Sequence, residues 1–346
     1  MINLEKEIRQ QGTVLAGVGA ANSETVKAIA AAAKAHAIDQ IVFAARGTSD
    51  HAAIYAQYLF HRYTGIPCSL ATPSVVTKYG THMHYEHALV IGISQSGCAQ
   101  DVLSVLQDAK QSGAITATLT NNPDSPLAHG ADFHLYCNAG PERSIAATKT
   151  FSSQMYALAM LCEAFCGDAE ITEMLRRLPK MTEELMQTVP VQIEKIIARY
   201  RYLEDAFVLG RGMAYPIALE GALKILETNK IRVRGYASSD FHHGPMAQLS
   251  SKTLAIVLAP AGQTQDDAIE MLEKARTTGA ETLVITDDGT LGEKYPLCIV
   301  VPGMKNDVAA PFMLAIALQF FALKLTEVKG IDPDQSAVLK KITITK

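Results

Sequence analysis

A run of hydroxyl and amide side chains, SQSG at residues 94–97, lies between an apolar segment and an amphipathic one. The apolar residues before it indicate a buried strand, and those after it repeat at helical spacing. A strand, a turn of small donors and a helix present free backbone N–H groups and a positive helix end to an anion. Glycine at position 97 also allows close backbone approach. The stretch predicts a phosphate-binding turn, with an ordinary strand-to-helix turn as the alternative.

The composition is typical of a folded protein of about two domains. The chain has 346 residues, of which 48% are hydrophobic and 19% charged. A net charge of −4 without a basic run argues against nucleic acid as a partner. No apolar stretch reaches the roughly 18 residues of a transmembrane helix, and the polar start MINLEKEIRQQG is unlike a signal peptide. Six cysteines without a CxxC pair fit a reduced, cytoplasmic protein. We also expect no membrane partner, because the sequence shows no membrane-spanning pattern.

Strands and helices alternate along the chain, which indicates parallel sheets covered by helices on both faces. In the second half, a strand at 206–209 leads into a helix at 214–227. In the first half we predict strands at 40–45, 67–71, 89–93, 116–119 and 133–137.

Two further stretches have no strand pattern and are predicted to be helical. Within the first 35 residues we expect two helices, with Ser23 as the N-cap of the second. Residues 168–200 are predicted to form connecting helices separated at Pro179 and Pro190.

The second half of the sequence repeats the first. Residues 99–114 align without a gap with residues 265–280, so that Asp101 coincides with Asp267. The repeat indicates two similar α/β halves. It is broken at the serine turn, because the second half has PAG at 260–262. Proline has no N–H, and alanine and glycine have no hydroxyl, so we predict one anion site per chain, in the first half.

Several motifs together resemble the sugar isomerase (SIS) domain family. They are SQSG, RGTSD at 46–50 and the duplicated α/β unit. The stretches LGRG-x-x-YPIALEGALK (209–224), HGP (243–245) and DQ-x-x-x-L-x-K (334–341) are similar to the isomerase half of glutamine–fructose-6-phosphate amidotransferase. The resemblance implies an α/β chain of two tandem SIS domains, each a parallel sheet flanked by helices in a flavodoxin-like three-layer sandwich.

The resemblance also implies a division of the chain and an assembly. We expect a homodimer whose active site is shared between subunits. The expected segments are N-terminal helices at 1–35, a phosphosugar-binding SIS domain at 36–167, a helical connector at 168–200, a second SIS domain at 201–331 and an active-site tail at 332–346.

Substrate-binding residues are carried over from the family by position. Its first-half turns hold the phosphate of the sugar, and a further segment after the first sheet completes the site. The positions that match are Gly47, Thr48, Ser49, Ser94, Gln95, Ser96, Ala146, Ala147 and Thr148.

Four catalytic positions follow from the same resemblance. Glu227 matches the glutamate that moves a proton between C1 and C2 of the open-chain sugar, and Lys224 lies one helical turn before it. His243 matches the histidine that opens the sugar ring and that the neighbouring subunit supplies. Lys341 matches a tail lysine that contacts the carbonyl or forms an imine with it. A carboxylate base, a histidine and a lysine suit aldose–ketose exchange, which needs no metal or redox cofactor because no net oxidation occurs.

Two of these residues also have a non-catalytic interpretation. Glu227 could be a solvated helix residue paired with Lys230, and Lys341 could be a solvated tail lysine. The histidines at 82, 84 and 87 have no zinc-ligand spacing and are predicted to lie in a loop.

The sequence also departs from the amidotransferase. Its glutaminase domain has no counterpart before the first strand, so we expect no glutaminase activity. Cys98, Ala99 and Ala147 replace polar residues of the family. A stand-alone double-SIS chain looks more like the SIS-type glucosamine-6-phosphate deaminases. We therefore predict a phosphosugar isomerase/deaminase that converts glucosamine 6-phosphate to fructose 6-phosphate and ammonia. The alternatives are a fructose-amino-acid-6-phosphate deglycase and a non-catalytic phosphosugar sensor.

Overall fold

A computed structural model describes residues 2–335, Val338 and Lys341. The chain divides into two compact units, each organised around one sheet. The first-sheet unit comprises Thr13–Glu142, Lys149–Arg176 and Lys341. The second-sheet unit comprises residues 2–12, Arg143–Thr148 and 177–335.

The first sheet has five parallel strands in the order β2-β1-β3-β4-β5. The central strand β3 is buried along its whole length, and Val90 lies opposite Val42 of β1. Side chains of β1 and β3 pack against Leu106 of a covering helix to form the core of this unit. The strands are β1 (Gln40–Ala44), β2 (Cys68–Leu70), β3 (Ala88–Ser94), β4 (Ile115–Thr120) and β5 (Phe133–Tyr136).

The second sheet repeats this topology, because its order β7-β6-β8-β9-β10 is the same when its strands are counted from its own start. Phe207, Val257 and Leu272 belong to its core. Both orders are flavodoxin-like, so the predicted tandem α/β fold is confirmed. The strands are β6 (Asp205–Gly210), β7 (Arg232–Ala237), β8 (Leu254–Leu258), β9 (Glu281–Thr286) and β10 (Cys298–Val300).

Helices flank both sheets. Short 3-10 helices occur at Ile197–Tyr200, Gly212–Ala214 and Pro245–Gln248. The α-helices are α1 (Asn3–Arg9), α2 (Gln11–Ala35), α3 (Thr48–Thr64), α4 (Pro73–Thr77), α5 (Gln100–Gln111), α6 (Pro126–Gly130), α7 (Lys149–Cys166), α8 (Ala169–Ile196), α9 (Tyr215–Asn229), α10 (Ser238–Phe241), α11 (Gln265–Thr277), α12 (Gly289–Lys294) and α13 (Ala310–Lys329).

Three positions that were predicted to be helix boundaries lie inside helices. Ser23 lies inside α2 and does not cap it, since the helix runs unbroken from residue 11 and buries Leu15 and Val18. Pro179 and Pro190 lie inside the single helix α8. Each proline removes one backbone hydrogen bond, but burial of an apolar face along the helix offsets that loss, because tertiary packing supplies most helical stability in proteins.

Helix α13 corrects the expectation that no apolar stretch is long enough to cross a membrane. Among the described residues it is the one helix that has the length and composition of a membrane span. Most of that helix is buried within the protein, and it packs against α9. It therefore serves as a core helix of the second-sheet unit.

Candidate functional site

The serine turn lies at the point of the first sheet where flavodoxin-like folds bind ligands. β3 ends at Ser94, Ala99 is the N-cap of α5, and the turn between them leaves the carboxyl end of the central strand. The neighbouring strand β1 leads into a second turn, at Gly47, before α3. In this strand order the crevice between β1 and β3 is the switch point, where ligands bind outside the strand ends.

The loop after β4 packs against the serine turn and holds it in place. Gly97 has φ +68°, and a Cβ there would lie 2.0 Å from Ser125 Oγ, so that the position requires glycine. The Gly97 carbonyl accepts a hydrogen bond from Leu127 N at 3.1 Å, and Asn121 N donates to the carbonyl of Gln95 at 3.0 Å. Ser96 Oγ accepts from Cys98 N at 3.3 Å. These hydrogen bonds fix the conformation of the turn, whose donors lie just before α5.

The second turn is also held in place by the surrounding fold. Gly47 has φ +55°, and Thr48 begins the 17-residue helix α3. Ser49 is buried, and its Oγ accepts a hydrogen bond from Gln154 Nε2 of α7 at 3.0 Å. The structure therefore brings the predicted phosphate-binding residues of both turns to one edge of one sheet.

The equivalent turn of the second sheet is occupied by the chain's own carboxylates. Ala261 N donates to Asp287 Oδ1 at 2.7 Å, and Gln263 N donates to Asp307 Oδ2 at 3.2 Å. A Cβ on Gly262 would lie 2.4 Å from Asp307 Oδ1. Burial raises the pKa of Asp287, while hydrogen bonds from backbone N–H groups oppose that rise. This arrangement supports the expectation of one anion site per chain.

Helix α9 carries a buried row of charges at helical spacing. Lys224 Nζ donates a hydrogen bond to Glu227 and lies 3.3 Å from Glu220 Oε1. The side chains of Glu220, Lys224 and Glu227 are 1%, 3% and 16% exposed. Burial by itself lowers the pKa of Lys224, but the two carboxylates raise it and the net direction is upward. Glu227 therefore faces a buried ammonium and is not the solvated partner of Lys230.

Close backbone contacts fix the position of α9. A Cβ on Gly210 of β6 would lie 2.3 Å from Ala214 O, just before the helix, and one on Gly235 of β7 would lie 2.5 Å from Ala218 O. On the opposite side, a Cβ on Gly221 would lie 2.3 Å from Leu318 Cδ1 of α13. These glycines allow neighbouring elements to approach the helix closely, which limits the movement of Lys224 and Glu227.

Lys341 has a buried partner, Glu142, that the sequence pattern did not predict. Lys341 Nζ lies 2.9 Å from Glu142 Oε2, and the Glu142 side chain is fully buried. The same carboxylate accepts hydrogen bonds from Thr150 N and Oγ1 at 3.2 and 2.7 Å. Lys341 is thus paired rather than solvated. The acidic residue of the AGPERS stretch was the one feature of the sequence that could have indicated a partner for the lysine.

The segment that contains Ala146, Ala147 and Thr148 is held by Glu7, which the sequence pattern did not indicate as a site residue. Glu7 of α1 is buried and accepts hydrogen bonds from the backbone N–H groups of Arg143 and Ser144. Ala146 and Thr148 are buried, whereas Ala147 is half-buried.

His243 is exposed, unlike Lys224 of α9. It lies exposed in the turn after α10, where its backbone N–H donates to Asp240 O at 3.0 Å, and His242 beside it is exposed as well. Within the described part of the chain, no hydrogen bond joins His243 to Lys224 or Glu227.

Residues 2–335, Val338 and Lys341 contain no cluster of three or more histidine, cysteine, aspartate or glutamate side chains that could hold a metal ion. Two histidines of the 82–87 stretch have separate partners: His82 pairs with Asp108 at 2.7 Å and His84 with Glu86 at 3.3 Å.

Known proteins match this chain over most of its length. The SIS domain matches residues 36–164 and 204–328. The glutamine–fructose-6-phosphate aminotransferase of Aquifex aeolicus is 33% identical over 309 residues, which are 88% of this chain and 52% of that protein. The chain thus spans about half the length of the curated relatives that it matches.

Solved structures show the same fold. The C-terminal domain of glucosamine-fructose-6-phosphate aminotransferase from Francisella tularensis has a TM-score of 0.86 and 26% identity, covering 97% of this chain and 98% of that one. Glucosamine-6-phosphate deaminase from Thermotoga maritima has a TM-score of 0.80 and 22% identity, covering 99% and 100%.

Proposed function

We propose, from the premise that this chain belongs to the SIS domain family, that it is a phosphosugar isomerase acting as a deaminase. Its reaction would convert glucosamine 6-phosphate and water to fructose 6-phosphate and ammonia. The names of the aminotransferase relatives and of the deaminase with the same fold supply the substrate class. The observation that carries the proposal is the buried pair of Glu227 and Lys224 on α9.

Phosphate binding is assigned to the two turns of the first sheet. An anion at the N-termini of α3 and α5 is stabilised by backbone N–H groups and by the helix dipoles. The hydroxyl groups of Thr48, Ser94 and Ser96 add side-chain donors of the kind that phosphate accepts.

Proton transfer is assigned to Glu227. The carboxylate removes the C2 proton of the open-chain amino sugar and returns it to C1, while an amino proton passes to the carbonyl oxygen. The product is an imine at C2, to which water adds as ammonia leaves. The Lys224 ammonium beside Glu227 stabilises negative charge that develops on the substrate oxygen.

His243 and Lys341 complete the proposed machinery. An imidazole can both accept and donate a proton, as the opening of the pyranose ring requires. Lys341 would contact the carbonyl that ring opening exposes, either as a cation or through an imine. As in the family, the proposed unit is a cytoplasmic homodimer in which the partner subunit supplies the histidine.

A different substrate within the same reaction class has some support from the serine turn. Ala99 caps α5 without a side-chain hydrogen bond, where the family has a threonine, and Cys98 follows the glycine in place of an acidic residue. Part of the polar set around the proposed phosphate site thus differs from the family, and a different 6-phosphate, such as a fructose-amino-acid 6-phosphate, is therefore the second candidate substrate. Release of a free amino acid from that adduct, without activity on glucosamine 6-phosphate, would identify a deglycase.

The decisive test is ammonia release from glucosamine 6-phosphate by the wild type and by Glu227→Gln. Loss of a general base lowers kcat by about 10²- to 10⁴-fold. Glu220→Gln is the matched control, since it removes the other carboxylate that faces Lys224; we expect it to retain far more activity. Full turnover by Glu227→Gln would exclude Glu227 as the base. Sugar-phosphate binding without turnover on any amino-sugar or glycated-amino-acid phosphate would identify a sensor instead.

A further inference from the structure

Both sheets carry an arginine–aspartate ion pair at equivalent places in the repeat. In the first-sheet unit, Arg46 Nε lies 2.7 Å from Asp101 Oδ2. In the second-sheet unit, Arg211 Nε lies 3.2 Å from Asp267 Oδ2. Each arginine follows the first strand of its sheet, and each aspartate lies in the first turn of the helix after the third strand. The ion pair thus occurs in both repeats, whereas the serine turn occurs only in the first.

The two pairs differ in their surroundings. The Asp101 side chain is only 4% exposed, and Asp267 is 55% exposed. Asp101 Oδ1 also accepts a hydrogen bond from Val102 N at 2.9 Å. A solvent-exposed ion pair contributes little to stability, whereas a buried carboxylate depends strongly on its partner. The first pair therefore constrains its surroundings far more than the second.

The first pair spans the two turns assigned to the phosphate. Arg46 directly precedes Gly47, Thr48 and Ser49, and Asp101 follows the serine turn within the first turn of α5. A phosphate bound by both turns needs their donors at a fixed separation, because a hydrogen bond weakens steeply when its distance or angle is poor. A hydrogen-bonded charge pair across the crevice supplies that constraint before the ligand arrives.

We propose that Arg46 and Asp101 are positioning residues that hold the two anion-binding turns at the separation a sugar phosphate requires. The inference rests on the proposed function, because it needs the two turns to bind phosphate. The rival role for Arg46 is direct contact with the phosphate, since its side chain is 51% exposed.

Replacing Asp101 separates the two roles. If Arg46 positions the turns, Asp101→Asn removes the charge from the link that Arg46→Ala breaks, and the double variant is no worse than Arg46→Ala alone. If Arg46 binds the phosphate directly, Asp101→Asn removes a competing anion and leaves affinity equal or higher. Arg46→Lys keeps a charge that can reach Asp101 but loses the planar fork, so positioning predicts partial rescue.

The experiment measures the Kd of fructose 6-phosphate by calorimetry, and KM and kcat for glucosamine 6-phosphate. We expect Arg46→Ala and Asp101→Asn to raise Kd and KM by about 10- to 100-fold, the effect of losing a hydrogen bond to a charged group, while kcat changes little. Arg211→Ala is the matched control, as it breaks the equivalent pair of the second sheet, and we expect its Kd to stay within about twofold of wild type. Thermal unfolding of every variant separates lost affinity from lost folding.

Three outcomes would contradict the inference. Equal Kd values for Arg46→Ala and Arg211→Ala would overturn it and leave the proposed function standing. Unchanged or tighter binding by Asp101→Asn, with weaker binding by Arg46→Ala, would assign Arg46 to direct contact. A wild-type chain that binds no sugar phosphate would overturn the proposed function together with the inference.

Discussion

At the scale of single residues, each of the two compact units contains charges that would be costly to bury alone. Glu220, Lys224 and Glu142 are all nearly inaccessible, and each has an opposite charge beside it. Burial of an unpaired ionised group costs several kcal/mol. The pairing therefore offsets part of the cost of placing these charges in a dry environment, where electrostatic interactions are stronger than in water.

The α9 charges give a pH-dependent prediction. The raised pKa of Lys224 means that its ion pairs contribute fully at pH values below the ordinary lysine pKa and are lost only as pH rises through the higher folded-state value. Lys224→Met leaves Glu220 and Glu227 buried without that cation. We expect a loss of about 3–5 kcal/mol in unfolding free energy at pH 8. The loss should shrink at pH 5.5, since the folded variant then takes up protons that neutralise the carboxylates.

Urea unfolding at the two pH values measures this effect. Lys274→Met on α11 is the control, because Lys274 forms an exposed pair with Glu270 at the same i,i+4 spacing as Lys224 and Glu220. Its unfolding free energy should differ little from that of the wild type at either pH. An equal loss at pH 5.5 and pH 8 for Lys224→Met would show that lost packing, and not unpaired charge, destabilises that variant.

The sequence predicted one side of each interaction but seldom its partner. Lys224 and Glu227 are three residues apart, so helical spacing alone predicts their contact. Lys341 and Glu142 are 199 residues apart, and Glu7 reaches Arg143 across 136 residues. Such pairs depend on tertiary structure, for which a single sequence carries no periodic signal.

At the scale of secondary-structure elements, the placement of α9 depends on a glycine in its middle. Gly221 faces Leu318, and an added methyl group would overlap Leu318 Cδ1. We expect Gly221→Ala to lower the unfolding free energy by about 1–3 kcal/mol through overpacking. Leu318→Ala removes the overlap, so the double variant should lose less than the sum of the single losses.

Chemical denaturation of the four proteins in this cycle measures the coupling. Gly289→Ala is the control, because Gly289 begins α12 with open space around its Cβ position. That substitution should leave stability unchanged or raise it by up to about 1 kcal/mol. If the loss of unfolding free energy in the double variant equals the sum of the two single losses, α9 and α13 adjust to the added methyl group. The contact between Gly221 and Leu318 then does not position α9.

The elements themselves were largely predictable, and the exceptions have one cause. Strands β1 to β6 occur where alternation with helices placed them, because buried parallel strands are short apolar runs between turn residues. Helix α8 was divided wrongly at its prolines, and α2 was started too late at Ser23. In both helices, local breakers were outweighed by packing that only the folded chain reveals.

At the scale of the whole molecule, the duplication was the strongest predictor. The aligned helices 100–111 and 265–277 occupy the same place in two sheets of identical strand order. A gapless repeat predicts a repeated fold because the same apolar positions must be buried twice. The repeat could not predict the aspartates that occupy the second turn, since Asp287 and Asp307 lie outside the aligned stretch.

The proposed dimer gives a prediction for mixed subunits. If the partner subunit supplies His243, a heterodimer of Glu227→Gln with His243→Asn has one site with both residues intact. Co-expression of the two inactive variants should then restore about a quarter of wild-type activity, given random pairing in a two-fold dimer. Turnover of glucosamine 6-phosphate, together with sedimentation, measures this recovery.

Two controls accompany the mixing experiment. The doubly substituted chain mixed with itself should remain inactive, and either single variant alone should show no recovery. An active monomer in sedimentation, or no recovery in a confirmed heterodimer, would contradict the sharing of the site between subunits.

The occupied turn of the second sheet has a consequence for every binding measurement on this protein. Asp287 and Asp307 are covalently part of the chain and are held by the fold against the amides of Ala261 and Gln263. A tethered group competes at an effective concentration far above that of any free anion in solution. Phosphate added at millimolar levels is therefore not expected to displace these aspartates, so the second-sheet turn should contribute no background to a titration that tests the proposed phosphate site of the first sheet.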